Sequence, residues 1–84
     1  MGGEGRGPAE IREWLRARVA RAIGAEAAGV STAEPTARLG IDSTEAVVIS
    51  GELQEWLGRR VAPTALWDHA TLDALAESLA RGGD

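Results

Sequence analysis

Ile11, Leu15, Val19 and Ile23 stand at every fourth position of a stretch that opens after Pro8, and Trp14 and Ala22 widen that stripe. The same spacing returns as Ala46, Ile49, Leu53 and Leu57, and again as Leu72, Leu75, Ala76 and Leu79. Apolar residues three and four apart share one face of a helix, and no stretch alternates with the period of two that a half-buried strand needs. The chain therefore reads as all-α: a small bundle of three main helices. Its 84 residues lie near the lower limit of what one core can hold together, and with no cysteine neither a disulfide nor a thiolate-bound metal can help. Trp14, Trp56 and Trp67 are the only aromatics, so Leu, Val, Ile and Ala must build most of the core.

Local signals set the element boundaries. The first helix is expected over Ala9 to Ile23, with Gly24 as its stop and Arg16, Arg18 and Arg21 towards the end the helix dipole favours. A long connection follows, AEAAGVSTAEPTARLGI, in which Pro35 opposes a regular helix and Val30 and Leu39 are the expected pins. Asp42 and Glu45 have the spacing of a capping box, which places the second helix from Ser43 to the stop at Gly58. The segment APTALWDH predicts a short helical turn with Pro63 at its first position, held by Val61 and Leu66. Thr71 is placed to cap the last helix, which Gly82 ends. Residues 1–8 and 82–84 are Gly-rich and patternless, and read as a linker or cloning remnant and a C-terminal linker around a domain at 9–81. Trp14 and Trp67 are expected in the core, while Trp56 sits on the margin of the second stripe and is open to either role.

Turning the second helix about 100° per residue isolates an unusual face. With Ala46, Ile49, Leu53 and Leu57 directed inward, Thr44, Val48, Gly51 and Glu55 point outward and Val47 lies on a flank. Two valines thus leave apolar surface near solvent one turn below Ser43. Gly51 costs the helix about 1 kcal/mol relative to Ala and permits close approach of another surface. Isolated exposed apolar residues are common, so the pattern is consistent with a docking face or with ordinary surface. Ser43 is likewise a cap-region hydroxyl or a handle for something attached.

The formal net charge of −4, with all nine basic residues arginine, provides no basic stripe for nucleic acid. No apolar run approaches a membrane span and no export signal opens the chain, so a cytoplasmic protein without membrane or nucleic-acid partners is expected. A hydrolase built on Asp42, Ser43 and His69 is disfavoured: Thr44 and Glu45 follow the serine where a nucleophile elbow needs a glycine. His69 reads as a helix-boundary residue, and no acid–histidine cluster has metal-ligand spacing. Arg59 and Arg60 read as a solvated helix end.

LGIDS ahead of a helix, then PTALWDHAT, then LDALAESLA resembles an acyl carrier protein domain, and more narrowly the carriers of bacterial modular polyketide synthases. The resemblance runs from Ile11 to Leu79. It rests on Val30 at the opening of the long loop, on Pro35 within it and on Gly40-Ile41-Asp42-Ser43 at the modified serine. Ala62-Pro63-Thr64 and Trp67-Asp68 match around the short helix, and Thr71 at the last cap. It implies that a phosphopantetheinyl transferase attaches the 4′-phosphopantetheine of coenzyme A to Ser43, with Asp42 as its acidic motif neighbour. The thiol of that arm would carry acyl groups as thioesters to a ketosynthase, an acyltransferase or an acyl-AMP ligase. The domain would have no catalysis of its own and would be a monomer in isolation.

This chain departs from the family at Thr44, where Leu is usual, and at Thr36 and Leu39, where aromatics are frequent. His69-Ala70 replaces a pair ending in proline, and Val48 and Gly51 interrupt the acids Glu45, Glu52 and Glu55. Docking through Thr44, Val47, Val48 and Gly51 is therefore expected to depend less on charge than in fatty-acid carriers. The alternatives are a peptidyl or aryl carrier of a nonribosomal peptide synthetase, and a non-covalent helical docking module whose serine is only a cap.

Overall fold

The computed structural model describes residues 6–82. Helix α1 spans Pro8–Ile23, α2 Ser43–Leu57, α3 Ala65–Asp68 and α4 Leu72–Ala80, with two 3₁₀ turns, Ala27–Gly29 and Thr36–Arg38, in the long connection after α1. Three main helices and one short helix form the expected bundle, and the three sequence stripes form its core. Ile11, Leu15 and Val19 meet Ala46, Ile49 and Leu53 and the α4 set Leu72, Leu75, Ala76 and Leu79. Each fully buried Leu or Ile contributes about 1.5–3 kcal/mol relative to exposure, the main force available to a chain this short. Ile23 and Leu57, the last residues of their stripes, are only partly buried.

The termini follow the sequence closely. α1 begins at Pro8, one residue before Ala9, because proline at N1 forfeits no helical hydrogen bond. Gly24 and Gly58 close α1 and α2 in the left-handed conformation. The Thr71 hydroxyl accepts the Ala74 N–H at 3.0 Å, starting α4. The expected linker residues 1–5 and 83–84 lie outside the described residues.

The long connection is held by polar groups as much as by the foreseen apolar pins. Val30 is buried and Leu39 partly so, but Thr32 and Thr36 are buried as well. The Thr36 N–H and hydroxyl both donate to the Ala70 carbonyl at 2.9 Å, and Thr32 accepts from the Asp73 N–H at 3.0 Å. These bonds stitch the loop to the α3–α4 junction, where Pro35 and Thr71 form an isolated β-bridge. Thr36 holds the loop by hydrogen bonding.

Around α3 two expectations need correction. Trp67 is 40% exposed, not in the core: α3 is a single turn, and once Ala65 and Leu66 face inward the next side chain, about 100° further round, faces out. Pro63 is not the first residue of α3 but lies in a preceding turn, closed by the Ala65 N–H on the Ala62 carbonyl at 3.0 Å. Val61 and Leu66 are buried there as expected.

α1 and α2 run antiparallel, so Trp56 near the end of α2 meets Trp14 near the start of α1. Arg6 covers the same Trp56 ring at 4.2 Å. A recess of about 290 Å³ at this end is lined by Arg6, Ile11, Leu57, Arg59, Leu79 and Gly82, and Arg59, far from being merely solvated, donates to the Leu79 carbonyl at 2.7 Å. Both ends of the described chain thus gather at the end of the bundle remote from Ser43.

Candidate functional site

The approach to Ser43 is built from three consecutive constraints. Leu39 packs partly against the core, Gly40 turns the chain with φ +84°, and Ile41 is buried. A side chain added at Gly40 would meet only Ile23 Cγ2 at an ordinary 3.9 Å, so the backbone angle and not crowding is what requires glycine there. Asp42 then takes extended backbone and its carboxylate accepts the Glu45 N–H at 2.8 Å, while its carbonyl accepts from the Ala46 N–H at 2.9 Å. α2 therefore starts at a fixed place, with Ser43 as its first residue.

Ser43 is exposed, as are Asp42, Thr44, Val47, Val48 and Gly51. The N–H groups of a helix's first turn have no partner within the helix, and the dipole makes that end positive. An anionic phosphodiester on the Ser43 oxygen fits this place, where it has both solvent access and favourable field. Val47 and Val48 are 51% and 44% exposed. All the sequence-selected residues thus lie on one accessible stretch formed by α2 and its N-cap, and His69 stands at the end of α3, where its carbonyl accepts from Thr36. Among the described residues no three His, Cys, Asp or Glu side chains are grouped to hold a metal ion, and no helix is long and apolar enough to cross a membrane.

The sequence reading missed the other flank of α2. Only one half of the capping box forms: the Glu45 carboxylate turns to Arg18 of α1 at 3.3 Å. The Arg18 Nε donates to Glu52 as well, and Arg18 itself is only 8% exposed. Hydrogen bonding from Arg18 holds the Glu52 carboxyl below the usual carboxylate range, and the same bond raises Arg18. Next to this pair the Trp14 and Trp56 rings stack at 5.4 Å with 19° between their planes, which gives Trp14 a half-buried seam in place of the core interior and settles the open position of Trp56. The available signal was the matched spacing: 14 and 18 on α1, 52 and 56 on α2, each one turn apart.

Comparison with known proteins agrees with this geometry. The profile of the family described as "Phosphopantetheine attachment site" matches residues 13–79. A phenolphthiocerol/phthiocerol polyketide synthase polypeptide of Mycobacterium tuberculosis is 44% identical over 80 residues, which is 95% of this chain but 4% of that protein's length. A free-standing peptidyl carrier protein from Acinetobacter baumannii superposes with a TM-score of 0.84 at 30% identity, covering 90% of this chain and 95% of that one. The A1-type ACP domain from module 5 of MLSA1 gives 0.78 at 29% identity, covering 92% and 78%. By a match over most of its length and by its fold, the chain belongs to the phosphopantetheine attachment-site family, carrier domains that bear a 4′-phosphopantetheine group and perform no catalysis of their own.

Proposed function

We propose that residues 9–81 are an acyl carrier domain of a polyketide synthase and that Ser43 is its phosphopantetheine attachment residue. The reading rests above all on the exposed hydroxyl at the first position of a capped helix, in a chain with 44% identity to a polyketide synthase across nearly all its residues. The fold is common to peptidyl and acyl carriers, so the polyketide assignment draws on the sequence likeness.

When attached, the group supplies a terminal thiol on which an acyl chain travels as a thioester, chemistry that a chain without cysteine otherwise lacks. Ser43 provides the oxygen. Asp42 keeps the helix start capped, so the N–H groups of the first turn beside the serine would favour the phosphate. Thr44, Val47, Val48 and Gly51 form the contact face for a phosphopantetheinyl transferase and for a ketosynthase, acyltransferase or acyl-AMP ligase. The domain acts as a monomer in the cytoplasm, where coenzyme A is at hand.

Incubation with coenzyme A and a promiscuous transferase, followed by intact-mass measurement, should show one added phosphopantetheinyl group, absent in Ser43→Ala. An unchanged mass of the folded wild type would sink the reading and leave the non-covalent docking module. Loading by a polyketide acyltransferase, and not by an amino-acid adenylating domain, separates the acyl type from the peptidyl type.

A further inference from the structure

Three carboxylates project from α2 beyond its cap: Glu45, Glu52 and Glu55. Arg18, reaching across from α1, binds two of them. Glu45 and Glu52 are two helical turns apart on the flank next to α1, and Val48 lies only about 40° round the helix from Glu52. The acids thus stand at the border of the exposed valine face, each paired with Arg18 of α1 while part of its side chain stays open to solvent. A guanidinium can hold two carboxylates at once because its N–H groups form a rigid planar fork, and an ammonium cannot do so with the same geometry. Burial of Arg18 at 8% exposure fixes where that fork sits.

We infer that Arg18 is a specificity-determining residue: by holding Glu45 and Glu52 at the α1 seam, it leaves beside Ser43 a face whose contact chemistry is that of Val47 and Val48. The partner that fits this face is a protein surface of apolar side chains, not a basic one. Charge complementarity argues for this occupant, since Arg18 engages two of the three α2 carboxylates and leaves a basic surface only Glu55 and the cap residue Asp42, while the two valines offer apolar area to bury. Arg18 acts through the two glutamates and is a positioning residue. The inference rests on the carrier reading above.

Two phosphopantetheinyl transferases serve as probes, one with a basic and one with an apolar carrier-contact surface. For wild type, mass spectrometry first establishes that Ser43 is loaded; failure at this step overturns the carrier reading itself and is seen before any comparison is made. Arg18→Met should then lower KM for the basic-surfaced transferase about threefold or more at roughly 50 mM NaCl, with the gain gone by about 500 mM and kcat unchanged. KM for the apolar-surfaced enzyme should not fall. Adding Glu45→Gln and Glu52→Gln to Arg18→Met should restore the wild-type KM, which a purely structural role for Arg18 would not produce. Arg81→Met, an equal change of net charge at an exposed site, should have no such effect. An unchanged KM with the basic enzyme, an equal shift from Arg81→Met, or a triple variant that fails to cancel the shift each overturns the inference. Should Arg18→Met not fold by circular dichroism, Arg18→Lys replaces it; it keeps the charge but lacks the planar fork that holds both carboxylates, and a KM change below about 1.5-fold then overturns the inference.

Discussion

On one side of α2, Glu45, Glu52 and Trp56 lie against Arg18 and Trp14 of α1; on the other, Thr44, Val47, Val48 and Gly51 face solvent. The seam buries a charged group, Arg18, while the open flank leaves two valines to solvent, against the usual arrangement of charge outside and apolar side chains inside. The Arg18 charge can be buried because two partly exposed carboxylates of the neighbouring helix meet its fork, and the valines stay outside because none of the described elements covers them. The neighbour across each flank, and not side-chain polarity alone, decides which is structural and which is free for contact.

The comparison predicts that seam residues govern stability and face residues govern contact. Trp56→Ala should cost the most, about 2–3 kcal/mol in urea unfolding: the residue is only half-buried, so the loss falls below that of a core aromatic. A cost below about 1 kcal/mol would show that the stacked rings contribute little. Glu45→Gln with Glu52→Gln leaves the Arg18 guanidinium buried without its charged partners and should cost about 1–2 kcal/mol, a figure reduced because both carboxylates keep solvent access.

Acid should weaken the same seam by less. The folded Glu52 pKa lies below its ordinary 4.5, so its contribution is present above that value and is lost as pH falls through the lower folded one. Wild type should therefore show a stability decrement below pH 4.5 that is smaller in Glu52→Gln; identical acid profiles would deny the pairing any weight in the fold. Smallest of all, Val47→Ala and Val48→Ala should change stability by no more than about 0.5 kcal/mol. Val48→Glu should leave helix content intact while lowering turnover with a cognate ketosynthase or loading enzyme. Unaltered turnover would make the valine face ordinary surface.

Periodicity alone located the helices, because Leu15, Leu53 and Leu75 each fall on a stripe that only a helix can bury. Capping chemistry located their starts at Asp42 and Thr71, because a side-chain oxygen two or three residues ahead of an orphan N–H is a local matter. The Ser43 face was legible for the same reason: it lies within one helix, where a projection suffices. What escaped the reading lies between elements. Nothing near Arg18 in sequence signals that residues 27 and 34 positions away will receive it. Thr36 likewise finds its acceptors at His69 and Ala70 only once the loop has closed on the α3–α4 junction. Trp67 misled because size and hydrophobicity argue for burial, whereas a one-turn helix has room to bury only two adjacent positions.

The meeting of Arg6 and Gly82 around one recess bears on how such a domain would move within a larger protein. A polypeptide entering and leaving there would attach at the base, like the feet of a crane, with the jib end held about 20 Å away by the fifteen residues of α2. Pivoting on that base would sweep the serine through a wide arc while the tethers stayed clear of its path. Reach would then come from rotation of the whole body as much as from the length of whatever hangs at its tip.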